Sequence, residues 1–91
     1  MDQRTFKPGD IVVHYKRQIR SDHNHYLYEI IGECCHTETE EKLMIYKALY
    51  GDKKLYARPY DMFMSEVEHD KYPKIIQKYR FELYTGELEA E

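Results

Sequence analysis

Glu33 to Asp52 reads ECCHTETEEKLMIYKALYGD, and its first half sets two thiols, an imidazole, two threonines and several carboxylates side by side. Such a set is open to more than one chemistry. His36 is placed to act as a general base, with Glu38 or Glu33 orienting it and Cys35 or Thr37 as nucleophile. No fixed spacing of a nucleophile motif supports that reading. A binding reading brings Arg58 together with His36 and Thr37 to grip an anionic or polar ligand. A structural reading uses the Thr37 and Thr39 hydroxyls to hold turn amides and pairs Arg58 with Glu33 across strands. For a metal, Cys34, Cys35 and His36 are consecutive, whereas structural zinc ligands pair at a spacing of about two to four residues. His23 and His25 add two imidazoles on a loop but no second spaced pair. Neither metal nor cofactor is expected, and the two cysteines are expected as buried or half-exposed thiols.

The surrounding elements must position these groups. FKPGDIVVHYK (Phe6 to Lys16) is a turn leading into a strand. There Val12, His14 and Lys16 share one side of the strand, with Val13 and Tyr15 on the other. RQIRSDHNH (Arg17 to His25) suits an exposed loop. YLYEIIGECC (Tyr26 to Cys35) and LMIYKALY (Leu43 to Tyr50) read as strands; the second, apolar at nearly every position, is short enough to be a central strand rather than a helix. HTETEEK (His36 to Lys42) joins them as a hairpin centred near Thr39 and Glu40. Glu33 then falls opposite Tyr46, and His36 opposite Leu43. GDKK (Gly51 to Lys54) is a turn, and LYARP (Leu55 to Pro59) a short strand with Pro59 at its end. That hairpin sets Arg58 opposite Lys47 or Tyr46. YDMFMSEVEH (Tyr60 to His69) fits one helical turn followed by a strand. IIQKYRFELY (Ile75 to Tyr84) fits a helical face or a strand, and the acidic tail, residues 85–91, is expected to fray.

The expected fold is mainly β: a small bent antiparallel sheet or SH3-like barrel of about five strands, with at most one or two short helical turns. At 91 residues the chain makes a single domain, 1–91. Ten Tyr against no Trp put hydroxyl-bearing rings throughout a core that reaches the surface easily. In this sheet Glu33, Cys35, His36, Tyr46 and Arg58 are expected to gather at one end. His14 is a structural residue unless it meets His36 across the barrel.

Charge narrows the partners. With 14 basic against 17 acidic residues the net charge is -3, which makes nucleic acid a less favoured partner. Local basic groups remain at Lys16, Arg17 and Arg20 and at Lys74, Lys78 and Arg80. MDQRTFKPGD is polar from the first residue, and no apolar stretch approaches a membrane span, so a reduced, cytoplasmic setting is expected.

HYK (His14 to Lys16), YEIIGECCHTETEEKLMIYKALYGD (Tyr28 to Asp52) and LYARPYDMF (Leu55 to Phe63) together resemble the bacterial and phage-associated domain-of-unknown-function family numbered 1653. The resemblance covers about 14–63 and continues to YRF at Tyr79–Phe81, with a limit near 84. It implies a compact β domain inside the cell and supplies no reaction. His14, His36, Thr37, Glu38, Tyr46, Arg58 and Pro59 match the family pattern. The chain departs from it in a longer, histidine-rich Arg17–His25 segment, in Tyr56 where the family commonly has Trp, and in extra residues in KYPKIIQKYRF.

These residues lead to an expected binding module for a small anionic or polar ligand, or a peptide. His14, His36, Thr37, Glu38, Tyr46, Tyr56 and Arg58 would line its pocket. Arg58 would supply charge, His36 and Thr37 directional hydrogen bonds, and Tyr46 with Tyr56 an apolar wall. Homodimer formation through exposed edge strands is a further expectation. The alternatives are a hydrolase-like enzyme using His36 and Glu38, and a nucleic-acid-binding barrel using tyrosine stacking.

Overall fold

The computed structural model describes residues 4–89. Five antiparallel strands form one sheet: β1 (Ile11–His14), β2 (Leu27–Cys35), β3 (Lys42–Ala48), β4 (Leu55–Pro59) and β5 (Phe81–Leu83). Their order is β4-β3-β2-β1-β5, a four-strand meander with the last strand added beside the first. A 3-10 turn follows β1 at Tyr15–Gln18, and one helical turn, α1 (Tyr60–Phe63), follows β4. The mainly β architecture expected from the strand-like segments is the one observed.

Period-two burial fixes which face of each strand looks inward. Val12 and His14 are buried in β1, and Met44, Tyr46 and Ala48 in β3, with their neighbours only partly covered. Val12, Met44, Tyr46 and Ala48 join Phe6, Tyr28, Ile30, Phe63 and Phe81 in the main core. A second cluster of Tyr15, Val67 and Ile75, with Tyr72 against it, packs beneath the long connection from α1 to β5.

That connection differs from expectation. The helical turn at Tyr60 is present, but in place of a following strand there is only an isolated bridge, Glu66 to Tyr79. Ile75–Tyr84 is neither a full helix nor a full strand: apart from the Tyr79 bridge, it pairs at Phe81–Leu83, along β1. Side-chain amides hold the rest. Gln18 donates to the Lys74 carbonyl and accepts from the Ile76 amide, both at 2.7 Å, and Gln77 donates to the Val13 and Tyr79 carbonyls. Satisfying backbone groups by side chains replaces the ladder that these residues lack.

The tail is tied down rather than frayed as far as Glu89; residues 90 and 91 lie outside the described residues. Asn24, buried in the loop expected to be exposed, donates to the Glu89 carbonyl and accepts from the Glu89 amide, both at 2.8 Å.

Register is where the sequence reading fails. Below Ile30, which opposes Tyr46, β2 carries a bulge, and the pairs become Glu33 with Met44 and Cys35 with Lys42. Gly32 takes φ 154 there, a backbone conformation that glycine tolerates best. Glu33 therefore opposes Met44, not Tyr46, and His36 lies past the last pair instead of opposite Leu43. On the other side Arg58 opposes Met44, and Tyr56 opposes Tyr46.

Candidate functional site

His36 stands at the tip of the β2–β3 hairpin and is exposed. Its Nδ1 accepts the amides of Glu38 and Thr39 at 3.1 and 3.3 Å, and Thr39 Oγ1 accepts the Glu41 amide at 3.2 Å. This is turn chemistry: a side-chain acceptor satisfies amides that no strand reaches. No carboxylate pairs with the imidazole among the described residues. The His36–Glu38 pairing needed for a general base is therefore not formed. Thr37 and Glu38 are exposed on the same tip.

The hairpin outruns the core. Burial along β2 stops at Ile30, and Glu33, Cys34 and Cys35 are exposed. Ile30 and His36 are six residue steps apart, roughly 20 Å of extended chain. The expected meeting of His36 with Tyr46 and Arg58 does not occur, nor does one with His14. Glu33 pairs with Lys42 at 3.1 Å, not with Arg58. Cys34 and Cys35 are free thiols, more exposed than expected. Among the described residues no group of three or more His, Cys, Asp or Glu converges as metal ligands do.

The other four candidates lie together on the inner face. Directly opposed strand residues share a face, so Tyr56 beside Tyr46 and Arg58 beside Met44 point toward the core. The Arg58 guanidinium reaches across to β5 and lies 5.7 Å from the centre of the Phe81 ring. Phe81 is in edge contact with His14 at 4.9 Å. Tyr46 and Tyr56 are 5.7 Å apart and tilted by 31°. One edge strand thus delivers a cation over the aromatic core that the opposite edge strand supplies.

Rings continue the surface. Tyr28 contacts Phe81, Tyr46 and Tyr56 in edge geometry. Its hydroxyl shares a 2.6 Å hydrogen bond with that of Tyr50. Tyr50 meets His25 at 4.3 Å and Tyr26 at 5.8 Å, and Tyr26 stacks with His14 at 5.6 Å. Tyr26 holds φ 65, rare for a bulky residue, to enter β2.

The electrostatics are one-sided. Burial drives the His14 pKa down to about 3, helped by the positive charges of Arg58, Lys16 and Arg80. His14 is thus neutral at pH 7. Its Nδ1 accepts the Lys16 amide at 3.1 Å, which places the ring proton on Nε2. Burial raises the Tyr46 phenol, and Arg58 beside it pulls the other way. Burial also raises Tyr28 and Tyr50. All three stay protonated donors at neutral pH. The ion pairs among the described residues engage Arg20, His23, Lys42 and Arg80, leaving Arg58 with no carboxylate within 4.0 Å.

A family model described as "Protein of unknown function (DUF1653)" matches residues 10–83. The chain belongs to this family. The match runs from the residue before β1 to the last residue of β5, so the DUF1653 unit contains the whole sheet and every residue of the Arg58 cluster. Neither the curated proteins nor the solved structures contain a match to the chain. No helix among the described residues of this DUF1653 chain is long and apolar enough to cross a membrane.

Sequence reasoning missed Tyr28, Tyr50 and Phe81, and with them the true surroundings of Arg58. The Tyr26–Tyr28 pair at strand spacing was a usable signal for one aromatic face. Phe81 was legible only as one of two alternative patterns.

Proposed function

We propose that this DUF1653 domain is a binding module for a small anionic ligand, held on the inner face by Arg58. The observation that carries the reading is the half-buried guanidinium with no carboxylate partner among the described residues. Partly desolvated charge is unfavourable unless something compensates it. The Phe81 face offers partial compensation. An arginine fork also matches the two oxygens of a carboxylate or phosphate. The Tyr46 hydroxyl and His14 Nε2–H add neutral donors suited to the same charge. A neutral imidazole and protonated phenols donate to an anion without titrating near pH 7.

The test is a thermal-shift and calorimetric panel of carboxylates and phosphates on the wild-type chain, Arg58→Gln, Arg58→Lys and His36→Ala. Wild type and His36→Ala bind alike, since the hairpin tip is remote. Arg58→Gln loses binding, and Arg58→Lys keeps the charge but loses at least about tenfold through the missing fork. A wild-type chain that no anion shifts overturns the proposal, as does undiminished binding by Arg58→Gln.

A further inference from the structure

We infer that the anion bound at Arg58 is carried on a planar aromatic group, with Tyr56 as the residue that selects for the ring. The inference rests on the anion-binding reading above and adds the class of ligand. Tyr56 and Arg58 are two apart on β4, on one face of an edge strand, which separates their Cα atoms by about 7 Å. Tyr56 stays 42% exposed, whereas Tyr28 and Tyr46 beside it are 7% and 4% exposed. Its ring is held by those two tyrosines, at 6.4 and 5.7 Å, and the rest is open. A partly uncovered aromatic ring therefore lies next to an arginine with no carboxylate partner among the described residues. A ligand laid against Tyr56 carries its ring on an aromatic surface and directs a carboxylate or phosphate to the guanidinium one strand repeat away.

The same geometry rules on charge. A group of tyrosines by itself attracts quaternary ammonium ions. Here Arg58 stands in the group, and Lys16 and Arg80 add to the positive charge felt at His14. A cation meets like charge, whereas an aromatic anion gains from both halves.

Four probes, measured by calorimetry on the full chain, separate the possibilities: benzoate, cyclohexanecarboxylate, a nucleoside 5′-monophosphate and benzyltrimethylammonium. Benzoate and cyclohexanecarboxylate share a carboxylate and differ in planarity, whereas benzoate and the nucleotide distinguish aryl carboxylates from phosphate-bearing ring systems. The expected result is that at least one of the planar anions binds about tenfold more tightly than cyclohexanecarboxylate, and the ammonium not at all. Tyr56→Leu, at an exposed edge position that leaves the core intact, brings the planar and non-planar anions to parity. Tyr56→Trp keeps the preference. Equal affinity of wild type for benzoate, the nucleotide and cyclohexanecarboxylate overturns the ring selection while leaving anion binding in place, and so does an undiminished preference in Tyr56→Leu. Failure of both planar anions to bind overturns the ring selection, failure of the whole carboxylate and phosphate panel overturns anion binding as well, and binding of the ammonium overturns the charge argument.

Discussion

His14 is the residue whose surroundings make the sharpest demand on pH. Folded, its pKa lies at about 3 because burial and the charges of Arg58, Lys16 and Arg80 oppose protonation; unfolded, it returns to the ordinary value near 6.5. The unfolded chain therefore takes up the proton first, and stability falls as pH drops below about 6.5, continuing down to the folded pKa. Burial lowers His25 as well, so it adds in the same direction. Carboxylates titrate lower, which leaves pH 7 to 5 as a window dominated by histidine. Across it the wild-type chain is expected to lose about 2 kcal/mol from His14, read as the drop in urea midpoint multiplied by the m-value. His14→Asn keeps an acceptor for the Lys16 amide and removes the titration. It should be less stable at pH 7 through lost packing, yet much flatter between pH 7 and 5. An unchanged slope in the variant would show that another group carries the pH dependence.

The β2–β3 hairpin, as an element, shows why some of the site was readable from the chain and some was not. Strand identity follows local composition: it gives Leu55–Pro59 the bounds observed, places β2 and β3 within two residues at each end, and provides for the helical turn after Pro59. His14, Tyr46, Tyr56 and Arg58 meet because inward alternation of three strands puts them there. His36, Thr37 and Glu38 drop out because of an offset: the bulge at Gly32 changes the register, and the hairpin extends beyond the core. Neither offset has a local signature except the glycine itself. Phe81, Tyr28 and Tyr50 needed knowledge of how the sheet curls, which depends on contacts distant in sequence. Gly32 can be tested directly. A Cβ there would find only ordinary contact, Pro8 Cγ at 3.9 Å, so the cost of Gly32→Ala comes from the backbone at φ 154. We expect about 1–3 kcal/mol of destabilisation, measured by chemical denaturation. A neutral substitution would mean that the bulge relaxes freely and that the register is not pinned at this residue.

On the scale of the molecule, the two ends of the sheet are joined by side chains. β4 and β5 stand at opposite ends of the strand order and share no ladder, yet Arg58 on one lies over Phe81 on the other. The junction is completed by Phe63 of α1, which stacks on Phe81 with centroids 4.0 Å apart and planes 7° apart. Phe63 also meets Tyr46 at 5.0 Å and Phe6 at 6.0 Å. Both Phe63 and Phe81 are essentially inaccessible, at 0% and 1%. One ring thus bridges α1, β3, β5 and the segment before β1, and a domain this small has only about 5–15 kcal/mol of stability in total. Removing the ring in Phe63→Ala is expected to cost about 3–5 kcal/mol, enough to leave the chain close to its unfolding threshold. Ile76→Ala serves as the control, since Ile76 is 88% exposed and should change stability by less than about 0.5 kcal/mol. Phe63→Leu, which keeps most of the volume, should fall between them. If Phe63→Ala costs no more than the surface control, the sheet is closed by something other than this ring, and the placement of Arg58 over Phe81 must have another support.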